Sequence, residues 1–75
     1  MSVPFGWIVI DEPAPGMNPS VYAEWTDEQG ERQREFKGYG NSGCTKAVEW
    51  WDAKLKQRVT LEPTLKGCYR VLGKV

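Results

Sequence analysis

The sequence predicts a small α+β domain, in which an antiparallel sheet of about three strands packs on one α-helix and a C-terminal strand or hairpin follows. Three observations predict it: apolar side chains alternate over residues 20–26, recur with a helical period over residues 47–55, and are separated by turn-forming residues. The element order is then β-β-β-α-β-β. Residues 1–75 form a single domain, because so short a chain builds only one core.

The first element is the apolar run FGWIVID, residues 5–11. Pro4 precedes it and Pro13 follows it, which predicts a strand of about five residues with Trp7 in the core. The proline-rich stretch EPAPGMNPS then reads as an ordered loop, because each proline restricts the unfolded chain.

The next two strands form an antiparallel hairpin over residues 20–39. SVYAEWT, residues 20–26, alternates as a half-buried strand does, and DEQG supplies a turn in which Gly30 can adopt a positive φ. ERQREFKGY returns as the partner strand, and its one large apolar residue, Phe36, is the expected inward anchor.

The helix follows with Asn41 or Ser42 as its N-cap and an end near Gln57. Its apolar face consists of Ala47, Val48, Trp51 and Leu55. RVTLEP and CYRVLGKV are then predicted strands joined by a turn. The last strand, if it lies exposed at the sheet edge, can pair with a second copy of the chain.

The stretch GYGNSG carries the G-x-G-x-x-G spacing of a dinucleotide-binding turn at residues 38–43. That motif needs a buried parallel strand before it, whereas ERQREFK is mostly charged and hairpin-paired. We therefore interpret the glycines as structural: they let the chain turn sharply and let the helix start close to the sheet.

The sequence gives little support for a catalytic site or a metal site. Histidine is absent, so the usual Ser-His-Asp and Cys-His arrangements cannot form. Cys44 and Cys68 lie 24 residues apart and supply too few ligands for zinc. In a cytosolic chain we expect two reduced thiols, although a disulfide between them stays open. The sequence predicts a non-enzymatic protein with no metal and no cofactor.

The numbers of basic and acidic residues constrain the class of binding partner. Ten basic and ten acidic residues cancel, whereas nucleic-acid-binding proteins usually carry a basic excess, so a DNA role requires local clustering of charge. No apolar run approaches the ~20 residues that cross a membrane, and no segment has the pattern of a signal peptide. We expect a cytoplasmic protein of a bacterium or an infected host cell, without a membrane partner.

The middle half of the chain carries a family-like pattern: an alternating strand, a glycine turn, a basic strand ending in Phe, a short loop and a helix. The residues that carry it are Tyr22, Trp25, Gly30, Arg32, Arg34, Phe36, Ala47, Trp51 and Leu55. This segment resembles the three-strand-plus-helix domain with which tyrosine recombinases bind arm-type DNA, and the related AP2 domain.

The resemblance implies that the sheet face away from the helix contacts the DNA major groove. The residues expected on that face are Tyr22, Glu24, Thr26, Gln33, Glu35 and Lys37. Arg32 and Arg34 alternate in step with Phe36 along the strand and are expected to lean toward the helix side or the end of the sheet. As a module that binds duplex DNA, the chain would place Arg32, Arg34, Lys37 and Lys46 on phosphates.

The alternative class is a protein that binds another protein, and the sequence favours it. Trp50 lies on the flank of the helix and Tyr39 in the glycine loop, where either aromatic ring can anchor an interface. The predicted partner-binding residues are Trp50, Tyr39, Glu24, Glu35 and Lys37. A surface of both signs suits a protein better than a polyanion.

Small neutral chains of this kind are common among proteins of phages and mobile elements. By analogy with anti-CRISPR and polymerase-binding phage proteins, we expect a protein that binds and modulates or inhibits a host protein or ribonucleoprotein complex. DNA binding of the arm-binding or AP2-like type is the alternative.

Overall fold

Five strands and one helix make up the computed structural model, which describes residues 1–75 throughout. Their bounds are β1 Ser2–Asp11, β2 Ser20–Thr26, β3 Arg32–Tyr39, α1 Gly40–Leu55, β4 Thr60–Pro63 and β5 Cys68–Lys74. The element order β-β-β-α-β-β is the predicted one, and so is the α+β class with one helix. All strand pairs are antiparallel, in the spatial order β3-β2-β1-β5-β4.

The prediction of about three strands in the sheet was wrong. β4 and β5 join the same sheet, because β5 pairs with β1 from Ser2 to Val9, and β1 is ten residues long instead of about five. The final strand β5 is consequently an interior strand. The condition for its pairing with a second copy of the chain, exposure at the sheet edge, is therefore not met, since β3 and β4 form the two edges.

The β2–β3 hairpin is confirmed over residues 20–39. Gly30 adopts the expected positive φ of 83°. The Asp27 carboxylate stabilises the turn, because its Oδ1 accepts the backbone N–H of Gln29 at 2.9 Å and of Glu31 at 2.8 Å, and its Oδ2 accepts the Gln33 side-chain amide at 2.8 Å. These bonds satisfy polar groups that a bare turn would leave to water.

The core lies between α1 and the centre of the sheet. Its fully buried apolar residues are Ile8, Val21, Ala23, Ala47, Trp51 and Val71. Trp51, only 1% exposed, was correctly predicted as core. Its indole lies directly over Gly6, where an added Cβ would collide with the ring, so the glycine makes room for the largest core side chain.

The glycine stretch brings the start of α1 against β3. A Cβ on Gly43 would lie 2.5 Å from the Gly38 carbonyl carbon, and Gly40 has a φ of 58°. The structural interpretation of these glycines is therefore confirmed. The predicted capping was wrong: α1 begins at Gly40, one residue before Asn41, and its N-cap Tyr39 makes no side-chain capping bond.

The helix ends at Leu55, two residues before the predicted end at Gln57. Lys56 adopts the left-handed conformation with φ 54°, and Asp52 Oδ1 accepts the backbone N–H of Val59 at 2.8 Å. The Gln57 side chain then pairs with both backbone groups of Lys74, at 2.8 and 2.9 Å. Together these bonds fix the turn between α1 and β4 against the end of β5.

The side chains of the sheet divide between a face covered by α1 and a face that no element covers, here called the open face. Ile8 and Ala23 are opposite each other on the covered face, so their neighbours Trp7 and Glu24, also paired, lie on the open face. The expectation that Trp7 is a core residue was therefore wrong. α1 is the sole helix, and it lacks the combination of length and apolarity that a transmembrane helix requires.

Phe36 also lies on the open face, opposite Tyr22, and is 47% exposed. The prediction of Phe36 as an inward anchor was wrong. β3 is an edge strand with a bulge at Lys37, and its covered positions tolerate polar side chains, since a lysine can cover an aromatic ring. Lys37 does so: its Nζ lies 4.4 Å from the Trp50 ring centroid.

Candidate interaction surface

A row of residues crosses all five strands on the open face, with one acidic and one basic side chain on each side of a central tryptophan. The strand registers align Glu62 of β4, Arg70 of β5, Trp7 of β1, Glu24 of β2 and Arg34 of β3, each opposite the next. This set is called the charged row. With neighbouring strands about 4.8 Å apart, it is about 19 Å long.

The carboxylate of Glu24 is the buried member of this row. Arg34 donates to its Oε2 from Nε at 2.8 Å and from Nη2 at 2.6 Å, while Nε of Arg32 lies 3.3 Å from its Oε1. The Glu24 side chain is 8% exposed, whereas those of Arg32 and Arg34 are 60% and 53% exposed. Glu24 is thus covered by two guanidinium groups that themselves reach solvent.

Aromatic rings support both guanidinium groups. The Arg32 guanidinium carbon lies 4.3 Å from the Trp7 ring centroid, and that of Arg34 lies 4.6 Å from the Tyr22 ring centroid. Such contacts stabilise an exposed pair by about 0.5–1 kcal/mol. Together with Glu24 they hold each arginine at two points, so the surface is ordered before any partner arrives.

An apolar row runs beside the charged row, two residues further along the strands. It consists of Cys68, Val9, Tyr22 and Phe36, again in strand register. Phe36 makes edge-on contacts with Tyr22 and Tyr39, at centroid distances of 5.6 and 5.0 Å. Tyr39, 60% exposed, extends this row to the last residue of β3.

The predicted partner-binding residues divide between the two sides of the sheet. Tyr39 and Glu24 belong to the open face, although Glu24 is buried beneath the arginines. Trp50, Glu35 and Lys37 gather on the helix side, where Lys37 forms an ion pair with Glu35 at 2.9 Å. Trp50 is half-buried and packs on Trp25 at a centroid distance of 5.1 Å, beneath Lys37 and Lys54. These five residues do not form one patch.

The residues expected to bind DNA do not all lie on the open face. Tyr22, Glu24 and Thr26 do lie on the open face, but Gln33, Glu35 and Lys37 do not, because each is paired with or lies beside a covered position of β2. Arg32 and Arg34 take their place, against the expectation that they lean toward the helix side or the end of the sheet. Lys46 lies on the exposed surface of α1, away from the open face.

Sequence reasoning missed three members of the charged row: Trp7, Arg70 and Glu62. They come from β1, β5 and β4, and only the long-range register brings them beside Glu24. A signal was present in CYRVLGKV, where Arg70 stands between apolar residues with the period of a strand. Arg70 Nη1 lies 3.1 Å from Glu62 Oε1.

Other features of the surface are less organised. A shallow cleft of about 510 Å³ opens between the end of β1 and the β4–β5 turn, and is lined in part by Asp11, Lys66 and Tyr69. Cys44 and Cys68 are both free thiols. No group of three or more potential metal-ligating side chains comes together.

Comparisons with known proteins assign the chain to no family. No protein-family model matches the chain, and neither the curated proteins nor the solved structures contain a significant match. The resemblance to the arm-binding domain of tyrosine recombinases stays a prediction.

Proposed function

We propose that this protein is a non-catalytic, cytoplasmic binding protein whose working surface is the open face, and that its partner belongs to a host macromolecular complex which it modulates or inhibits. The observation that carries the proposal is the open face itself. It is five strands wide, bears a preformed layer of tryptophan, tyrosine, phenylalanine and arginine, and has no element of the chain packed on it.

The composition of this layer favours a protein as the partner. Tryptophan, tyrosine and arginine are the residues most enriched at binding hot spots, and Trp7, Tyr22 and Arg34 lie side by side here. The acidic and basic members of the charged row are also paired with each other, so the face presents local polarity without a strong field of one sign.

Two substitutions of equal charge test the proposal. Val9→Lys places a charge at the centre of the apolar row, and Ala53→Lys places the same charge on the exposed side of α1. In affinity purification from native cells, we expect Ala53→Lys to retain the proteins that accompany the wild type and Val9→Lys to lose them. Retention by both folded variants would contradict the proposal.

A second candidate is duplex DNA, which one observation favours: Arg32 and Arg34 lie on the face that the resembled family uses for DNA. Binding through phosphates would weaken steeply between low and physiological salt and would be lost in the Arg32→Ala, Arg34→Ala double variant. Fluorescence anisotropy with a labelled duplex measures both effects. We expect no binding at physiological salt, because Glu24 and Glu62 offset most of the positive charge of Arg32, Arg34 and Arg70, and little net charge is left to attract phosphates.

A further inference from the structure

We infer that the open face recognises an acidic segment of its protein partner, one that presents a carboxylate beside an apolar side chain. The inference rests on the function proposed above and specifies the chemistry of the partner. It follows from three features of the open face: unused arginine donors, their fixed positions, and the apolar row next to them.

The first feature is an excess of hydrogen-bond donors. Arg34 uses Nε and Nη2 on Glu24, and Nη1 has no partner. Arg32 approaches Glu24 through Nε, at 3.3 Å, and its two terminal nitrogens donate no hydrogen bond within the chain. Two positive charges therefore share one buried negative charge, and the remaining donors face solvent. A carboxylate is the protein group that matches the planar geometry of a guanidinium group.

The second feature is preorganisation. Ordering a flexible arginine side chain on binding costs conformational entropy, but here Glu24 and the rings of Trp7 and Tyr22 have already fixed both side chains. Glu24 is thus a positioning residue, which orients the arginines and leaves their outer edges available.

The third feature is the spacing between charged and apolar groups. Arg34 belongs to the charged row, and Phe36 to the apolar row two residues along the same strand, which separates them by about 7 Å. An extended partner segment with an acidic and an apolar side chain two residues apart presents both on the same side and can therefore contact both rows. Duplex DNA offers anions without apolar groups of this kind, so the apolar row favours a peptide.

NMR titration of the 15N-labelled protein tests this inference with two probes. One is the acetylated and amidated peptide Glu-Ser-Leu-Ser-Glu, whose glutamate and leucine side chains lie on the same side of an extended chain, and the other is its neutral counterpart, Gln-Ser-Leu-Ser-Gln. We expect the acidic peptide to shift the Nε–H signals of Arg32 and Arg34 and the amide signals of Val9 and Tyr22. We also expect it to bind about tenfold more tightly than the neutral peptide, through charge-assisted hydrogen bonds.

Matched variants provide the controls. Arg32→Gln removes the least engaged guanidinium and keeps the Arg34–Glu24 pair, so it should fold, as its amide spectrum will verify. It should weaken binding of the acidic peptide about tenfold. Lys46→Gln makes the same change in net charge on the helix surface and should change the affinity by less than about twofold, since exposed distant charges are screened.

Three results would overturn the inference. Equal affinity for the two peptides would show that the open face does not recognise carboxylates. That result would refute the inference but would not contradict the proposed function. An acidic peptide that shifts no open-face signal would refute carboxylate binding there. Displacement of the acidic peptide by an unlabelled DNA duplex at physiological salt would assign the arginines to nucleic acid instead. Failure of the proposed function itself is seen separately, when Val9→Lys retains its protein partners.

Discussion

Arg34 donates two hydrogen bonds to the same oxygen of Glu24, from Nε at 2.8 Å and from Nη2 at 2.6 Å, and thereby buries a carboxylate on a sheet face that no helix covers. The pair links the two functions of the open face. It stabilises the β2–β3 hairpin and it orients the arginine that we propose to meet the partner.

Removal of this arginine should destabilise the fold. Arg34→Met leaves Glu24 with only the longer contact to Arg32, and a poorly compensated buried carboxylate costs about 1–3 kcal/mol. Urea denaturation measures the loss. The Glu24→Gln, Arg34→Met double variant should recover part of it, and a double variant as unstable as the sum of both single variants would show that the pair does not interact.

The close approach of α1 to β3 makes Gly43 intolerant of a side chain. Gly43→Ala should lower the free energy of unfolding by about 1–3 kcal/mol, because the new Cβ collides with the backbone of Gly38 and with Val21. Thermal or urea denaturation is the measurement, with the exposed neighbour Ser42→Ala as control. Equal stability of the two variants would refute the close-contact role.

Stability should fall in acid partly through the Asp27 turn. The backbone N–H of Glu31 and the side-chain amide of Gln33 hold the pKa of the Asp27 carboxyl below its ordinary value. A lowered folded-state pKa stabilises the protein above the unfolded pKa of about 3.9, and this contribution is lost as the pH falls through the folded-state pKa.

Asp27→Asn should therefore be less stable than the wild type near neutral pH, and the difference should shrink toward about pH 2. Unfolding free energies measured across this range give the test. Exposed Glu28, one residue further on in the same turn, provides the matched control as Glu28→Gln. A constant difference between Asp27→Asn and the wild type at every pH would contradict the assignment.

Trp50 and Tyr39 should behave differently on truncation. Trp50→Ala should destabilise the fold by about 2–3 kcal/mol, because the indole is half-buried between Trp25, Trp51 and Lys37. Tyr39→Ala should change stability by less than about 0.5 kcal/mol, since its ring is mostly exposed. Urea denaturation measures the stability of both variants. Binding assays then show whether either residue contacts the partner. If both variants still bind the partner, Trp50 and Tyr39 are excluded as interface anchors.

Local patterns were enough to predict most of the fold. The element order, the β2–β3 hairpin with its glycine turn, and the burial of Trp51 follow from alternation, turn residues and helical period, which are all short-range signals. The joining of β4 and β5 to the sheet was not predictable in this way, because it depends on pairing between residues at opposite ends of the chain.

The open face was harder to predict for a different reason. The rule that apolar residues point inward failed at Phe36 and Trp7, and it placed Arg32 and Arg34 on the wrong side. On an edge strand such as β3, the covered positions require little apolar surface, so a lysine stem over Trp50 fills one of them. Every side chain of β3 then lies on the face opposite to the predicted one, because successive side chains of a strand alternate between the two faces.

The most direct test of the central claim replaces Phe36 with the photo-crosslinking residue p-benzoylphenylalanine, which keeps an aromatic ring on the open face. The same residue at Ala53 reports on the exposed side of α1. After irradiation in native cells, we predict a discrete protein adduct from position 36 that survives nuclease treatment and is absent from position 53. An adduct from position 53 alone, or one that nuclease removes, would contradict the account.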